Sequence, residues 1–204
     1  MSQRLRQKEA TRRALRAAAL RMFVDKGFHE TTVEEISAVV GVTKRTFFLH
    51  FASKDEVLLG HVAEQLELLR SSLTSVPPHP DPFARVGEAV TSLAGQMQDR
   101  EDLLLQLDLV HRVPRLLAVS LEQFTAFEDA IADAVRLWRR EESRRRLTDA
   151  DNAYAQLVGT VGIAALRAGL TRWRRKGGTS SLADLVAAQV ETVATGMRPP
   201  WSHR

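Results

Sequence analysis

Thr32-Val33-Glu34-Glu35-Ile36-Ser37-Ala38-Val39-Val40-Gly41-Val42-Thr43-Lys44-Arg45-Thr46-Phe47-Phe48 is the stretch on which the fold turns. Thr32 can cap a helix with its hydroxyl while Glu35, three residues on, reaches back to the cap, and Val33, Ile36 and Val40 give that helix one apolar face. Gly41 permits a tight turn. Thr43 then caps a second, shorter helix in which Phe47 and, one turn later, Phe51 point to the core. Two short helices joined by a glycine turn make a helix-turn-helix.

Working outward, an earlier helix is predicted over Gln7 to Lys26, with Leu15, Ala18, Ala19, Met22 and Phe23 as its apolar stripe and Arg12, Arg13 and Arg16 pointing elsewhere. Gly27 ends it as a left-handed cap. Ser53 followed by Glu56 reads as another capping box, so a fourth helix is expected from Lys54 to about Leu73, linking the N-terminal module to the rest. Beyond the cluster Pro77, Pro78, Pro80 and Pro82, helices are expected near 82–98, 101–112, 115–142, 149–176 and 181–196, the last two capped by Thr148 and Ser181. The expected fold is all-α with about nine helices: residues 1–53 form a helix-turn-helix module and 54–204 a larger body.

Charge separates the same two regions. Residues 1–54 carry 11 Lys or Arg against 5 Asp or Glu, a net of +6, leaving 18 against 20 in the other 150 residues. A localised positive field suits phosphate binding, since neutralised phosphates release their condensed counterions. A solvated basic face would carry the same charge. The 204 residues contain no cysteine, which excludes disulfides and thiolate metal sites and fits a cytoplasmic location. The longest apolar run, Leu157 to Leu166, is short for a bilayer and is interrupted by Gly159, Thr160 and Gly162, so no membrane partner is expected. No nucleophile with a base, phosphate-cradling glycine loop or metal cluster stands at a useful spacing, so neither an enzyme nor a cofactor is expected.

Gly27-Phe28-His29-Glu30-Thr31-Thr32-Val33-Glu34-Glu35-Ile36, Gly41 to Phe48, and then Phe51, Ser53-Lys54 and Leu58 together resemble the signature of the tetracycline-repressor (TetR) family. The resemblance covers roughly residues 10–60. It implies a one-component transcription regulator of bacteria, a repressor bound as a homodimer to an inverted-repeat operator and released by a small ligand. The candidate DNA contacts are Thr32, Thr43, Lys44, Arg45, Thr46, Phe48, His50 and Lys54. Arg45 suits either the guanine major-groove edge or a phosphate; Lys44 suits a phosphate. Phe48 shares the outward face of Lys44 and Arg45 and is expected to be exposed. It stands where the family usually has tyrosine, and Leu49 where the family usually has a polar residue. Leu49 is expected to pack against the first turn of the fourth helix, with a thymine methyl as its other possible partner.

The resemblance also implies that the helices over 149–176 and 181–196 pair with those of a second protomer. Gly159, Gly162, Ala164, Ala165 and Ala168 keep the first of these narrow. Leu182, Leu185, Val186, Gln189, Val190 and Val193 give the second an apolar stripe, which intramolecular packing would also use. Leu104, Leu107, Asp108, His111, Phe124, Phe127, Glu128, Ile131, Trp138, Tyr154 and Val158 mix apolar bulk with polar groups and are the candidate ligand chamber. Asp108 and His111 are read as a local polar pair, not a metal site. The Arg45-Thr46-Phe47-Phe48 form of the motif is similar to a subgroup with acyl-CoA-like effectors. On that reading Phe124, Phe127 and Ile131 line an acyl tunnel, and His111, Arg112 and Arg115 stand near the coenzyme phosphates.

Overall fold

The computed structural model describes residues 3–60, 62–100, 102–144 and 146–196. Among them run ten helices and no strand: α1 (Gln3–Asp25), α2 (Val33–Val40), α3 (Lys44–Phe48), α4 (Lys54–Leu59), α5 (Val62–Ser75), α6 (Pro82–Gln98), α7 (Leu103–Arg112), α8 (Pro114–Ser143), α9 (Asp149–Arg175) and α10 (Leu182–Ala194). The expected start of a helix at Glu101 falls outside the described residues.

The chain divides into two compact units, residues 1–61 with 105–120, and residues 62–104 with 121–204. The division differs from the expected boundary after residue 53 in two ways. The fourth helix is not continuous, because α4 ends at Gly60 and α5 starts afresh at Val62. A side chain at position 60 would also strike the Glu56 carbonyl. Moreover, residues 105–120 join the N-terminal helices: Leu109, Val110, Val113 and Leu116 are buried in one cluster with Leu15, Ala19, Phe23, Ile36, Phe47, Val57 and Leu58. The helix-turn-helix therefore shares its core with residues far along the sequence.

Arg16 corrects the reading of α1. It is 7% exposed and turned inward, where Nη1 donates to the Val57 carbonyl and Nη2 to Gln106 Oε1 at 3.1 Å. Gln106 in turn donates to the Leu58 carbonyl. The apolar stripe of α1 is thus completed by an arginine whose charge is spent on a carbonyl and an amide from α4 and α7, as a buried charge requires.

In the second unit α6, α9 and α10 pack on one another and α5 packs on α6. The contacts are close because glycines face bulky partners. A Cβ on Gly169 would lie 2.4 Å from Val186, one on Gly87 2.5 Å from Val190, and one on Gly159 2.4 Å from the Glu128 carbonyl oxygen. Leu182, Leu185 and Val186 are buried within the chain, so the intramolecular use of the α10 stripe holds for these positions. By length and composition α9 is apolar enough to cross a bilayer, but half of that stretch is buried in this unit's core. The α9–α10 connection turns on Gly177 and Gly178, at φ +65° and +74°, and is tied down by Trp173 Nε1 donating to the Ser180 carbonyl at 2.9 Å.

Candidate nucleic-acid interface

α2 and α3 are built as their sequences dictate. Thr32 accepts from the Glu35 amide at 3.2 Å and Glu35 Oε2 accepts from the Thr32 amide at 2.9 Å, closing the capping box. Gly41 takes up the left-handed conformation at φ +74°, ψ +30°, and Thr43 accepts from the Thr46 amide at 3.1 Å. Phe47 and Phe51 are buried with ring centroids 5.5 Å apart. One face of α3 is therefore anchored and the opposite face is open: Lys44, Arg45 and Phe48 are exposed, Phe48 at 47%.

Leu49 does not pack as expected. It is 68% exposed at the end of α3, because the core positions of this turn are already filled by Phe47 and Phe51. Thr32, Thr43 and Thr46 hold the two helix caps, with the Thr43 and Thr46 hydroxyls 2.9 Å apart. The Lys54 ammonium is a structural staple rather than an open cation, donating to the carbonyls of Phe28 and Thr31 at 2.7 Å each and lying 4.8 Å from the Phe28 ring centroid. What Lys54 retains for a phosphate is its backbone at the start of α4. Lys44 pairs with Glu34 and Lys26 with Glu35. These ammonium groups hold both carboxyls below their ordinary value, that of Glu35 at about 2.

His50 is partly buried, and its Nδ1 makes no hydrogen bond. Burial first, then the charges of Lys8 and Arg12, push the imidazole below its ordinary value. Arg12 was not among the candidates, although it closes this corner: Nη1 donates to the His50 carbonyl at 2.6 Å and the guanidinium lies 4.6 Å from the Phe51 ring centroid. No local sequence pattern marks an arginine 38 residues away as the clamp on the end of α3.

The candidate ligand residues do not form one group. Leu107, Asp108 and His111 belong to the N-terminal unit, with His111 Nδ1 3.0 Å from the Leu107 carbonyl. In the other unit Phe124, Phe127, Glu128, Ile131 and Val158 are brought together along α8 and α9, but Phe127, Ile131 and Val158 are buried core, and Glu128 accepts from Thr160 Oγ1 at 3.1 Å. Leu104 packs beside Gly178 at the α9–α10 turn, and Tyr154 is 45% exposed. Arg115 pairs with Asp55 at 2.6 Å. Two of the candidates, Trp138 and Tyr154, do border concave space in this unit: a groove of about 540 Å³ runs between α5 and α8 beside Leu73, Leu137 and Trp138, and a cleft beside the proline segment is lined by Trp138 and adjoins a space that reaches Tyr154.

Residues 15–60 match the family model "Bacterial regulatory proteins, tetR family", and residues 81–198 match "MftR C-terminal domain", a TetR-type C-terminal model spanning more than half of the chain. The chain belongs to the TetR family. Its TetR relatives include TcmR of Streptomyces glaucescens, 35% identical over 136 residues, a match spanning 63% of this chain but only 60% of TcmR. MftR of Mycobacterium tuberculosis is 21% identical over 197 residues, 94% of this chain and 93% of MftR. Among solved TetR-fold structures, the SmeT–triclosan complex superposes with a TM-score of 0.64 at 20% identity, covering 95% of this chain and 96% of that one. FadR of Bacillus subtilis in complex with stearoyl-CoA gives 0.61 at 14%, covering 91% and 98%. This TetR chain is a DNA-binding transcriptional regulator and not an enzyme, and the family match over residues 15–60 includes α2 and α3.

Proposed function

We propose that the chain is a cytoplasmic repressor that binds an inverted-repeat operator as a homodimer and leaves it when a small apolar ligand occupies the body. One observation carries this reading: α3 exposes Lys44, Arg45 and Phe48 on one face while Phe47 and Phe51 lock the other into a closed core. Lys44 supplies a mobile cation for phosphate. Arg45 supplies a planar fork matching the two acceptors of guanine, and Phe48 with Leu49 adds apolar surface that suits thymine methyl groups. An acyl compound is the first effector class to test, because FadR relatives of the same fold hold stearoyl-CoA and lauroyl-CoA, while SmeT with triclosan motivates planar drugs as the comparison.

Selection of bound DNA from a random pool tests operator symmetry and specificity together. Lys44→Ala is expected to weaken binding to all sequences and to lower the salt slope by about one unit. Arg45→Ala is expected to cost about 1–3 kcal/mol and to relax preference at one position per half-site. Unchanged affinity in both variants would overturn the interface. Operator release is then titrated with long-chain acyl-CoAs, free fatty acids and triclosan; release by triclosan alone would reject the acyl class and keep the repressor.

A further inference from the structure

The proline segment between α5 and α6 borders a cleft of about 580 Å³ lined by Pro78, Pro80, Pro82, Arg85, Trp138 and Arg139. Pro80, Pro82 and Arg139 continue into an adjoining space of about 400 Å³ that ends at Tyr154. Both fall in the size range of small-molecule sites. Two lining cations differ in what holds them. Arg139 is already paired with two carboxylates, donating to Glu142 at 2.8 Å and Asp151 at 3.1 Å.

The Arg85 guanidinium carbon lies over the Trp138 ring, 3.8 Å from its centroid, and Nη2 donates to the Val76 carbonyl at 3.1 Å. Among the described residues no carboxylate pairs with it, and its buried Nε makes no hydrogen bond. The indole contact and the Val76 bond together restrain the guanidinium, and a restrained guanidinium favours a carboxylate on its remaining donors. The cleft around this cation joins the rings of Pro78, Pro80 and Pro82 to the polar side chains of His79, Arg139, Glu141 and Glu142, and Pro80 and Pro82 carry the apolar surface into the adjoining space, where the Tyr154 ring is 45% exposed. Burial and then the Asp81 carboxylate hold the Tyr154 phenol above its ordinary value, so it remains an O–H donor.

We propose that this cleft binds a planar aromatic carboxylate, with its acid group on Arg85 and its ring across Pro80, Pro82 and Tyr154. Recognition combines one charge-assisted contact with stacking on rigid rings, which lose little entropy on binding. Glu141, exposed at the rim, opposes the anion. The site does not depend on the repressor reading or on the acyl class of effector.

Calorimetry on the full chain with naphthoate and its neutral analogue naphthylmethanol tests it without DNA. Naphthoate is expected to bind about tenfold more tightly than the alcohol, the size of a charge-assisted contact. Arg85→Gln should bring naphthoate down to the level of the alcohol and leave the alcohol unchanged, Arg85→Lys should restore part of the difference, and Glu141→Gln should strengthen naphthoate binding. Tyr154→Ala should weaken both ligands. The proposal is overturned if neither ligand binds, if both bind alike, or if Arg85→Gln changes both equally or neither. Loss of operator binding in separate experiments would leave it intact, and its failure would leave the operator reading intact.

Discussion

Lys44 has one anion in the free chain, Glu34, and on the proposed reading exchanges it for a phosphate. Both members of the pair are more than half exposed, so the pair itself adds little stability and the exchange costs little. Glu34 nevertheless competes for the ammonium and repels the phosphate. Glu34→Gln is therefore expected to raise DNA affinity a few-fold, most at low salt, in fluorescence-anisotropy titrations; unchanged or weaker binding would show that Lys44 contacts no phosphate. His50 carries a pH dependence of definite sign. Burial and the neighbouring Lys8 and Arg12 depress its folded-state value, so the folded chain resists protonation more than the unfolded chain. Its contribution to stability is complete above the ordinary histidine value of about 6.5 and is lost as pH falls from there toward the depressed value. The melting temperature of the wild type should drop over that window relative to His50→Asn. Parallel curves for the two proteins would reject the assignment.

At the scale of elements, the glycines that let helices touch do not tolerate substitution equally. At Gly87 the atoms a Cβ would meet belong to the Val190 side chain, whereas at Gly159 the nearest are the Glu128 carbonyl and the Ala132 amide of α8. A side chain can turn aside and a helix backbone cannot. Gly87→Ala should cost about 1 kcal/mol and Gly159→Ala about 3 kcal/mol in chemical denaturation, the two ends of the overpacking range. Equal costs would mean that α8 and α9 separate as readily as Val190 rotates. Capping was legible without the structure, since Thr32 with Glu35 is a reciprocal pair fixed by spacing and Thr148 reads as a cap, although its reciprocal partner Asp151 emerged only in the structure. The outward face of α3 was legible as well, because Phe47 and Phe51 repeat every four residues. Gly60 was not, as a lone glycine inside a helical pattern is usually tolerated. Ser53 and Glu56 formed only half of the expected box: Ser53 accepts from the Glu56 amide at 3.2 Å, but Glu56 reaches back to Ala52. Arg16, Arg12 and Gln106 escaped because their partners lie 38 to 90 residues away. The candidate ligand residues were chosen for composition, and a mixed apolar and polar composition does not tell a packed core from a cavity wall.

At the scale of the whole molecule, the proposed homodimer has to be tested on residues that the single chain leaves open. Val186 is fully buried against Gly169, so a charge there would unfold the body and report nothing about association. The outer face of α9 is different. Leu157 is 59% exposed, Val161 is half-buried, and Ala164 and Ala168 are exposed, four positions at spacings of four, three and four that form one lengthwise stripe. α10 adds exposed Ala187 and Ala188. Small residues along such a stripe let two helices approach within about 8–10 Å, and the apolar atoms they bring together supply the driving force. Two recognition helices on one two-fold axis then read two half-sites, which gives a short α3 enough contact to be selective. Ala164→Glu places an unpaired charge at the centre of that stripe without touching the intramolecular core. Light scattering at micromolar concentration should therefore give a dimer for the wild type and a monomer for Ala164→Glu with unchanged helicity. Operator affinity should fall as dimerisation is lost, while binding to a single half-site remains. A wild-type monomer, or an Ala164→Glu variant that stays dimeric, would move the interface away from α9 and α10.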